Sequence, residues 1–255
     1  QKMKKKGVEV SGGLRTSDEQ MEASLNKECF DANPASWEVK MENFPKYVKR
    51  QNLTRFLAMY EIFKLIVDVK GSIVECGVNH GFGIMAWSKF SAIIEPVNLT
   101  RRIYGFDTFE GFPSISNADM SANSDHVKVG DLAVNSMEEI LQLAEIQDKT
   151  RFLGHIPKIE LIKGDAIKTI PKFISDNPHV LISLLFLDFD LYEPTKVALE
   201  KLVPRMPKGA VIAFDELDNP LWPGETQVML EFCKDNKLRI QRLPFDPYIG
   251  YAIID

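Results

Sequence analysis

Residues 181–187 read Leu-Ile-Ser-Leu-Leu-Phe-Leu. A short run this apolar on both faces fits a strand covered from both sides, as in the middle of a parallel sheet. Around it, short apolar runs alternate with helical patterns at 72–78, 84–94, 102–107, 159–165, 167–174, 180–190, 195–203 and 210–216. Upstream, Leu53, Phe56, Leu57, Tyr60, Phe63 and Val67 recur at helical spacing, with Asn52 placed to cap that helix and Gly71 to end it. Strand-helix alternation of this kind predicts a doubly wound, Rossmann-like α/β domain, with a mostly parallel seven-stranded sheet and helices on both faces. The last two apolar segments, 239–243 and 248–254, are joined across residues 244–247. That connection is short enough for an antiparallel hairpin at one edge.

Two stretches stand apart from this rhythm. Residues 1–36 are polar, with Lys4, Lys5, Lys6 and the pair Gly12 and Gly13, and are expected to form an arm outside a domain at 37–255. Residues 108–157 fit no strand and one helix, 136–147, and so predict a long insertion of the kind that forms an active-site lid.

With 255 residues the chain suits one large domain. A net charge of -5 gives no electrostatic pull toward nucleic acid. No stretch approaches the roughly 18 apolar residues a membrane span needs, and residues 1–7 carry charge with no apolar segment behind them. Cys29, Cys76 and Cys233 suit neither a disulfide framework nor a zinc site. A cytoplasmic protein with no nucleic-acid or membrane partner is therefore expected; a homo-oligomeric state is left open.

The chemistry gathers at strand ends. Residues 75–83, Glu-Cys-Gly-Val-Asn-His-Gly-Phe-Gly, turn a strand into a helix with three glycines, which frees backbone amides for a ligand. The spacing is not G-x-G-x-x-G, because position 79 is Asn. Asp107 closes the next strand, where a carboxylate can accept hydrogen bonds from ribose hydroxyls. Asp165 closes another, and either borders a nucleobase or caps the helix that follows. Asp188 and Asp190, two apart at the end of the central segment, are expected to face the same way. The next strand ends in Asp215 and Glu216, within reach of Asp188 across a parallel pair. Carboxylates so close repel one another unless a cation joins them, and oxygen ligands favour Mg²⁺, Mn²⁺ or Ca²⁺. His80, His126, His155 and His179 are scattered without ligand spacing.

These blocks, with Gly105-Phe106-Asp107-Thr108-Phe109-Glu110-Gly111-Phe112-Pro113, Leu187-Asp188-Phe189-Asp190-Leu191-Tyr192-Glu193-Pro194-Thr195 and residues 209–216, resemble the macrocin O-methyltransferase family over about residues 52–235. The resemblance implies an S-adenosylmethionine-dependent enzyme in which Glu75, Gly77 and Asp107 contact the cofactor and Asp188, Asp215 and Glu216 hold Mg²⁺. Val78, His80, Gly81, Thr108 and Asp165 complete the candidate cofactor set. His80 stands where the family has a basic residue, and Asp215-Glu216 where it has an Asp pair. The acceptor is expected to be a hydroxyl on a small molecule, a sugar or other natural-product intermediate, with Asp188 and Asp190 as the catalytic carboxylates and Asp190 taking the hydroxyl proton. Two other functions share this fold class: a nicotinamide oxidoreductase, disfavoured by the missing G-x-G-x-x-G, and a binding module without turnover.

Overall fold

The computed structural model describes residues 16–120 and 127–255. Lys4, Lys5, Lys6, Gly12, Gly13 and His126 lie outside the described residues. The chain divides into two compact units, one closing at Leu57 and the other running Ala58–Asp255.

In the first unit, part of the expected arm is helical. Helix α1 spans Ser17–Ala32 and α2 spans Trp37–Glu42. Ser36 starts α2 as an N-cap, accepting from the Val39 amide. Tyr47 packs edge-on against Phe30, with ring centroids 4.9 Å apart, and its hydroxyl accepts from Asn33 Nδ2 at 2.7 Å. Helix α3 runs Arg50–Leu65, so Asn52 lies inside it and is no cap. The helix also stops well short of Gly71. That glycine instead opens the first strand: its φ is +145°, and a Cβ there would stand 2.5 Å from the Ser183 amide nitrogen.

The second unit holds the sheet. In chain order come β1 (Ser72–Cys76), α4 (Phe82–Ile94), β2 (Ile103–Asp107), α5 (Met137–Asp148), β3 (Ile159–Lys163), α6 (Ala166–Asp176), β4 (Ile182–Leu187), α7 (Tyr192–Leu202), β5 (Val211–Phe214), α8 (Pro223–Asn236), β6 (Gln241–Arg242) and β7 (Gly250–Ile253). The strands lie in the order β3-β2-β1-β4-β5-β7-β6. Strands β1 to β5 pair in parallel. β7 runs antiparallel to both β5 and β6, which gives the expected edge hairpin. The apolar run supplies β4, the middle strand, and every residue of it is buried. Helix α8 was not anticipated, although Val228, Met229, Phe232 and Cys233 keep helical spacing behind Pro223 at its first turn.

Alternation along β1 assigns its side chains to two layers. Val74 and Cys76 join the core beneath α6, α7 and α8, with Phe106, Ile170, Ala198 and Val228. Glu75 turns to the layer of α4, where Trp87 packs on Phe186 at 5.5 Å and Phe90 on Phe63 at 5.8 Å between ring centroids. Trp87, Phe63 and Phe186 are fully buried, each worth roughly 1.5 to 3 kcal/mol or more of transfer free energy. The insertion has no strand among its described residues. It contains α5 and a single 3₁₀ turn, Asn117–Asp119.

Candidate active site

Five parallel strands bring their carboxyl ends to one edge, and the first of them sets the glycine turn. Gly77 has a φ of +99°, and a Cβ on it would come within 2.0 Å of the Asp188 carbonyl oxygen. β1 and β4 can therefore leave the sheet side by side only with glycine there. Gly81, φ +82°, starts α4, and its bare Cα accepts the Ile140 side chain of α5, which would meet a Cβ at 2.6 Å. The Ser136 hydroxyl donates to the Asn79 carbonyl, so the insertion rests on the turn at two points.

Asp107 fastens this turn from the end of β2. Its Oδ2 accepts from the Val78 and Asn79 amides at 2.7 and 2.8 Å, and its Oδ1 from Phe109 at 2.7 Å. A carboxylate has about four acceptor positions, so among the described residues one position, on Oδ1, is left for a ligand hydroxyl. Asp165 caps α6 by accepting from the Ile167 amide at 3.1 Å, and it also lines the cleft. Thr108 Oγ1 donates to the Gly111 carbonyl at 2.6 Å, closing the loop beyond β2.

These residues line a cleft that opens to solvent at the carboxyl edge of the sheet. Gly77, Asn79, Asp107, Thr108 and Asp165 form one side of it, and Asp188, Phe189 and Asp190 another. Phe112, from the insertion, completes the wall and is backed by Trp222 at 5.7 Å between ring centroids. Glu75, Val78, His80 and Gly81 are outside this lining. Glu75 is only 3% exposed and lies beneath the turn, where Trp87 Nε1 donates to its Oε2 at 2.6 Å. Val78 contributes its amide to Asp107 rather than to the cleft, and His80 is exposed.

The acidic corner begins where β4 and β5 end. Leu187 pairs with Phe214, and the Asp215 amide donates to the Leu187 carbonyl at 2.9 Å. Asp188 and Asp215 thus leave neighbouring strands together, as the parallel pairing implied. Asp188 and Asp190 reach the cleft differently from the expectation. β4 stops at Leu187, so strand alternation does not apply, and a left-handed φ of +62° at Asp190 turns that residue back to the cleft. Asp190 and Asp215 are buried. Glu216 is half-buried, and its carboxylate accepts from Asn219 Nδ2.

Sequence reasoning missed Glu225, on the first turn of α8. It is fully buried, and its Oε1 accepts from the Glu216 amide at 3.3 Å. Its Oε2 has no hydrogen-bond partner among the described residues. Burial, reinforced by the charges of Asp190, Asp215 and Glu216, pushes this carboxyl well above the usual range. The corner is rich in hard oxygen donors, the ligand type a divalent cation takes. Among the described residues, no group of three or more His, Cys, Asp and Glu side chains is placed so that it could hold a metal ion. Nor is any helix long and apolar enough to cross a membrane.

Comparison with known proteins places this edge in context. The family model described as Macrocin-O-methyltransferase (TylF) matches residues 47–245. A curated relative, the 8-demethyl-8-(2,3-dimethoxy-alpha-L-rhamnosyl)-tetracenomycin-C 4'-O-methyltransferase of Streptomyces olivaceus, is 27% identical over 152 residues, 58% of this chain and 53% of that protein. The match therefore spans about half of that relative's length. The crystal structure of CalS11, a calicheamicin methyltransferase, superimposes with a TM-score of 0.90 at 30% identity over 98% of both chains. The apo structure of CalS11, described as a TDP-rhamnose 3'-O-methyltransferase, gives 0.81 at 28% identity over 96% of this chain and 99% of that one. The chain belongs to the macrocin-O-methyltransferase family, a family of O-methyl-transferring enzymes.

Proposed function

We propose that this protein transfers the methyl group of S-adenosylmethionine to a hydroxyl of a sugar, free or already part of a natural-product intermediate, with Mg²⁺ held by Asp188, Asp215 and Glu216. The observation that carries this reading is the single cleft that has the Asp107 and Asp165 strand ends on one side and Asp188 and Asp190 on the other. The sugar acceptor is supported by the relatives, whose names specify rhamnosyl and TDP-rhamnose substrates.

In this reading Asp107 receives a ribose hydroxyl on the free position of Oδ1, while Gly77 and Asn79 present backbone to the cofactor and Asp165 borders it. S-adenosylmethionine supplies a methyl group already attached to a sulfonium leaving group, so the chain has to position the hydroxyl and take its proton. Mg²⁺ supplies a lowered pKa to an oxygen it touches. Asp190, buried and turned into the cleft, accepts the hydroxyl proton as the oxygen takes the methyl group. Phe112 and Trp222 shield that wall from water, which strengthens each charge interaction inside.

Calorimetric titration with S-adenosylmethionine and with NAD, each with and without Mg²⁺, tests the reading. Binding of the first and Mg²⁺-dependent methylation of TDP-rhamnose or a rhamnoside support it. Binding of NAD alone overturns it in favour of an oxidoreductase. S-adenosylmethionine binding with no turnover on any hydroxylated sugar overturns the enzyme in favour of a binding module.

A further inference from the structure

One insertion residue reaches the acidic corner without touching the cleft. Asp119, in the 3₁₀ turn Asn117–Asp119, is 3% exposed. Its Oδ2 accepts from the Ser116 amide and hydroxyl at 2.8 and 2.7 Å, and its Oδ1 from the Tyr192 amide at 2.6 Å. Tyr192 is the first residue of α7 and comes two residues after Asp190. The residue at the N-cap position, Leu191, makes no side-chain cap bond. An unsatisfied amide of α7 is thus answered from 73 positions away in sequence, by a carboxylate that the positive end of the helix favours. A third element meets the same point. At Gly224, on the first turn of α8, a Cβ would lie 2.1 Å from Asp119 Oδ1 and 2.7 Å from the Tyr192 amide nitrogen. The next residue is Glu225, which accepts from the Glu216 amide.

We infer that Asp119 is a positioning residue for the methyl transfer, clamping the insertion to the starts of α7 and α8 and so holding the Asp188–Asp190 and Asp215–Glu216 loops in place. A capping side chain at position 191 would reach the second or third amide of α7 and not that of Tyr192, so this amide needs an acceptor from elsewhere. This chain brings the acceptor from the insertion and keeps a glycine at 224 to make room for it. The left-handed turn at Asp190 sits next to the clamped amide. Loss of the clamp frees that turn to relax, because a left-handed non-glycine residue persists only while its surroundings hold it. The kinetic consequence rests on the methyltransferase reading; the geometry does not.

The test compares Asp119→Ala, Asp119→Asn and Gly224→Ala in the full chain, at a temperature well below each melting point. Three readouts apply: S-adenosylmethionine affinity by titration, Mg²⁺-dependent kcat with TDP-rhamnose, and hydrogen exchange of peptides covering residues 188–192. Asp119→Ala and Gly224→Ala should each lower kcat by about tenfold or more through misplacement of the acids. Cofactor affinity should stay within about twofold, since Asp119 does not line the cleft. Exchange at 188–192 should quicken in both variants. Asp119→Asn, which keeps a carbonyl acceptor for Tyr192, should restore most of the kcat. The double variant should be no worse than either single one, because both remove the same contact. Lower melting points with unchanged kcat would overturn the proposal in favour of a purely structural role, and so would unchanged exchange at 188–192. If the parent does not turn over TDP-rhamnose, the functional reading has failed on its own account, and the exchange comparison still decides whether Asp119 clamps the corner. If Asp119→Ala does not fold, Asp119→Asn against Gly224→Ala carries the same contrast.

Discussion

The two sides of the cleft are built on opposite principles. On the glycine-turn side, Asp107 is answered by three backbone amides and Asp165 by the amide of Ile167. These backbone bonds hold the shape of this side without a ligand. At the acidic corner, Asp188, Asp190, Asp215, Glu216 and Glu225 crowd the ends of two strands and the start of α8. Burial, reinforced by the charges of Asp190, Asp215 and Glu216, pushes Glu225 toward its protonated form, and one of its oxygens is buried without a partner among the described residues. The contrast implies a division of labour. In the proposed function, the first side receives the cofactor and the second holds Mg²⁺.

Substitutions can break this contrast in graded steps. The largest effect is expected at the corner: Asp188→Asn and Asp215→Asn should each lower Mg²⁺-dependent turnover by about 100-fold or more, since even groups supporting a metal ligand cost 10- to 100-fold when lost. Cofactor affinity should survive, because Asp107 and the glycine turn lie on other strands. Titration showing that S-adenosylmethionine binding is lost along with turnover would merge the two sides into one. Next in size, Asp107→Ala removes the clasp of the turn and the ribose acceptor together. It should weaken cofactor binding by roughly 1.5 to 3 kcal/mol, about 10- to 150-fold in Kd. Unchanged affinity would remove Asp107 from the cofactor site. Smaller again, Glu225→Gln keeps the shape of the side chain and gives the orphaned position a donor facing carboxylates. It should raise the melting temperature of the protein in EDTA, and a fall would mean that the carboxyl has a partner it needs.

The smallest effect serves as a control far from the cleft, at the opposite edge of the sheet. Lys158 is buried just before β3, and burial lowers its pKa to about 8, with Arg151, Arg101 and Arg102 adding to the shift and Glu95 opposing it. Its unfolded value, near 10.5, is higher. Between these two values the unfolded chain binds more protons, so stability should rise with pH from about 8 to 10.5. Lys158→Met should flatten that rise in melting temperature and leave the Mg²⁺ response untouched. A flattened Mg²⁺ response as well would show that the two edges are coupled.

Much of this architecture was legible in the sequence because burial dictates it. Residues 182–187 of the apolar run are all buried and form the middle strand, while Leu181 before them is exposed. The glycine turn and the strand-end acids followed from where a parallel sheet gathers its loops. The residues that escaped notice did so for physical reasons. Glu225 sits on the first turn of a helix, where acids are favoured by the helix dipole and usually solvated, so its burial left no mark on the pattern. Asp119 serves an amide 73 positions away, a partnership no local pattern encodes. Glu75, a cofactor contact by the family resemblance, lies buried beneath the turn, where Trp87 Nε1 donates to it. Asp190 reaches the cleft through a left-handed turn rather than as part of a strand.

The Mg²⁺ site proposed at the acidic corner is tested most directly by melting the parent and the Asp215→Asn variant in EDTA and in excess Mg²⁺. A cation at 100 times its Kd stabilises by about 2.7 kcal/mol, which in a chain this size is a rise of roughly 5 to 10 °C. The account predicts such a rise in the parent, little or none in Asp215→Asn, and a melting point for the variant in EDTA at or above that of the parent. No Mg²⁺-dependent rise in the parent, or an equal rise in both proteins, would contradict it.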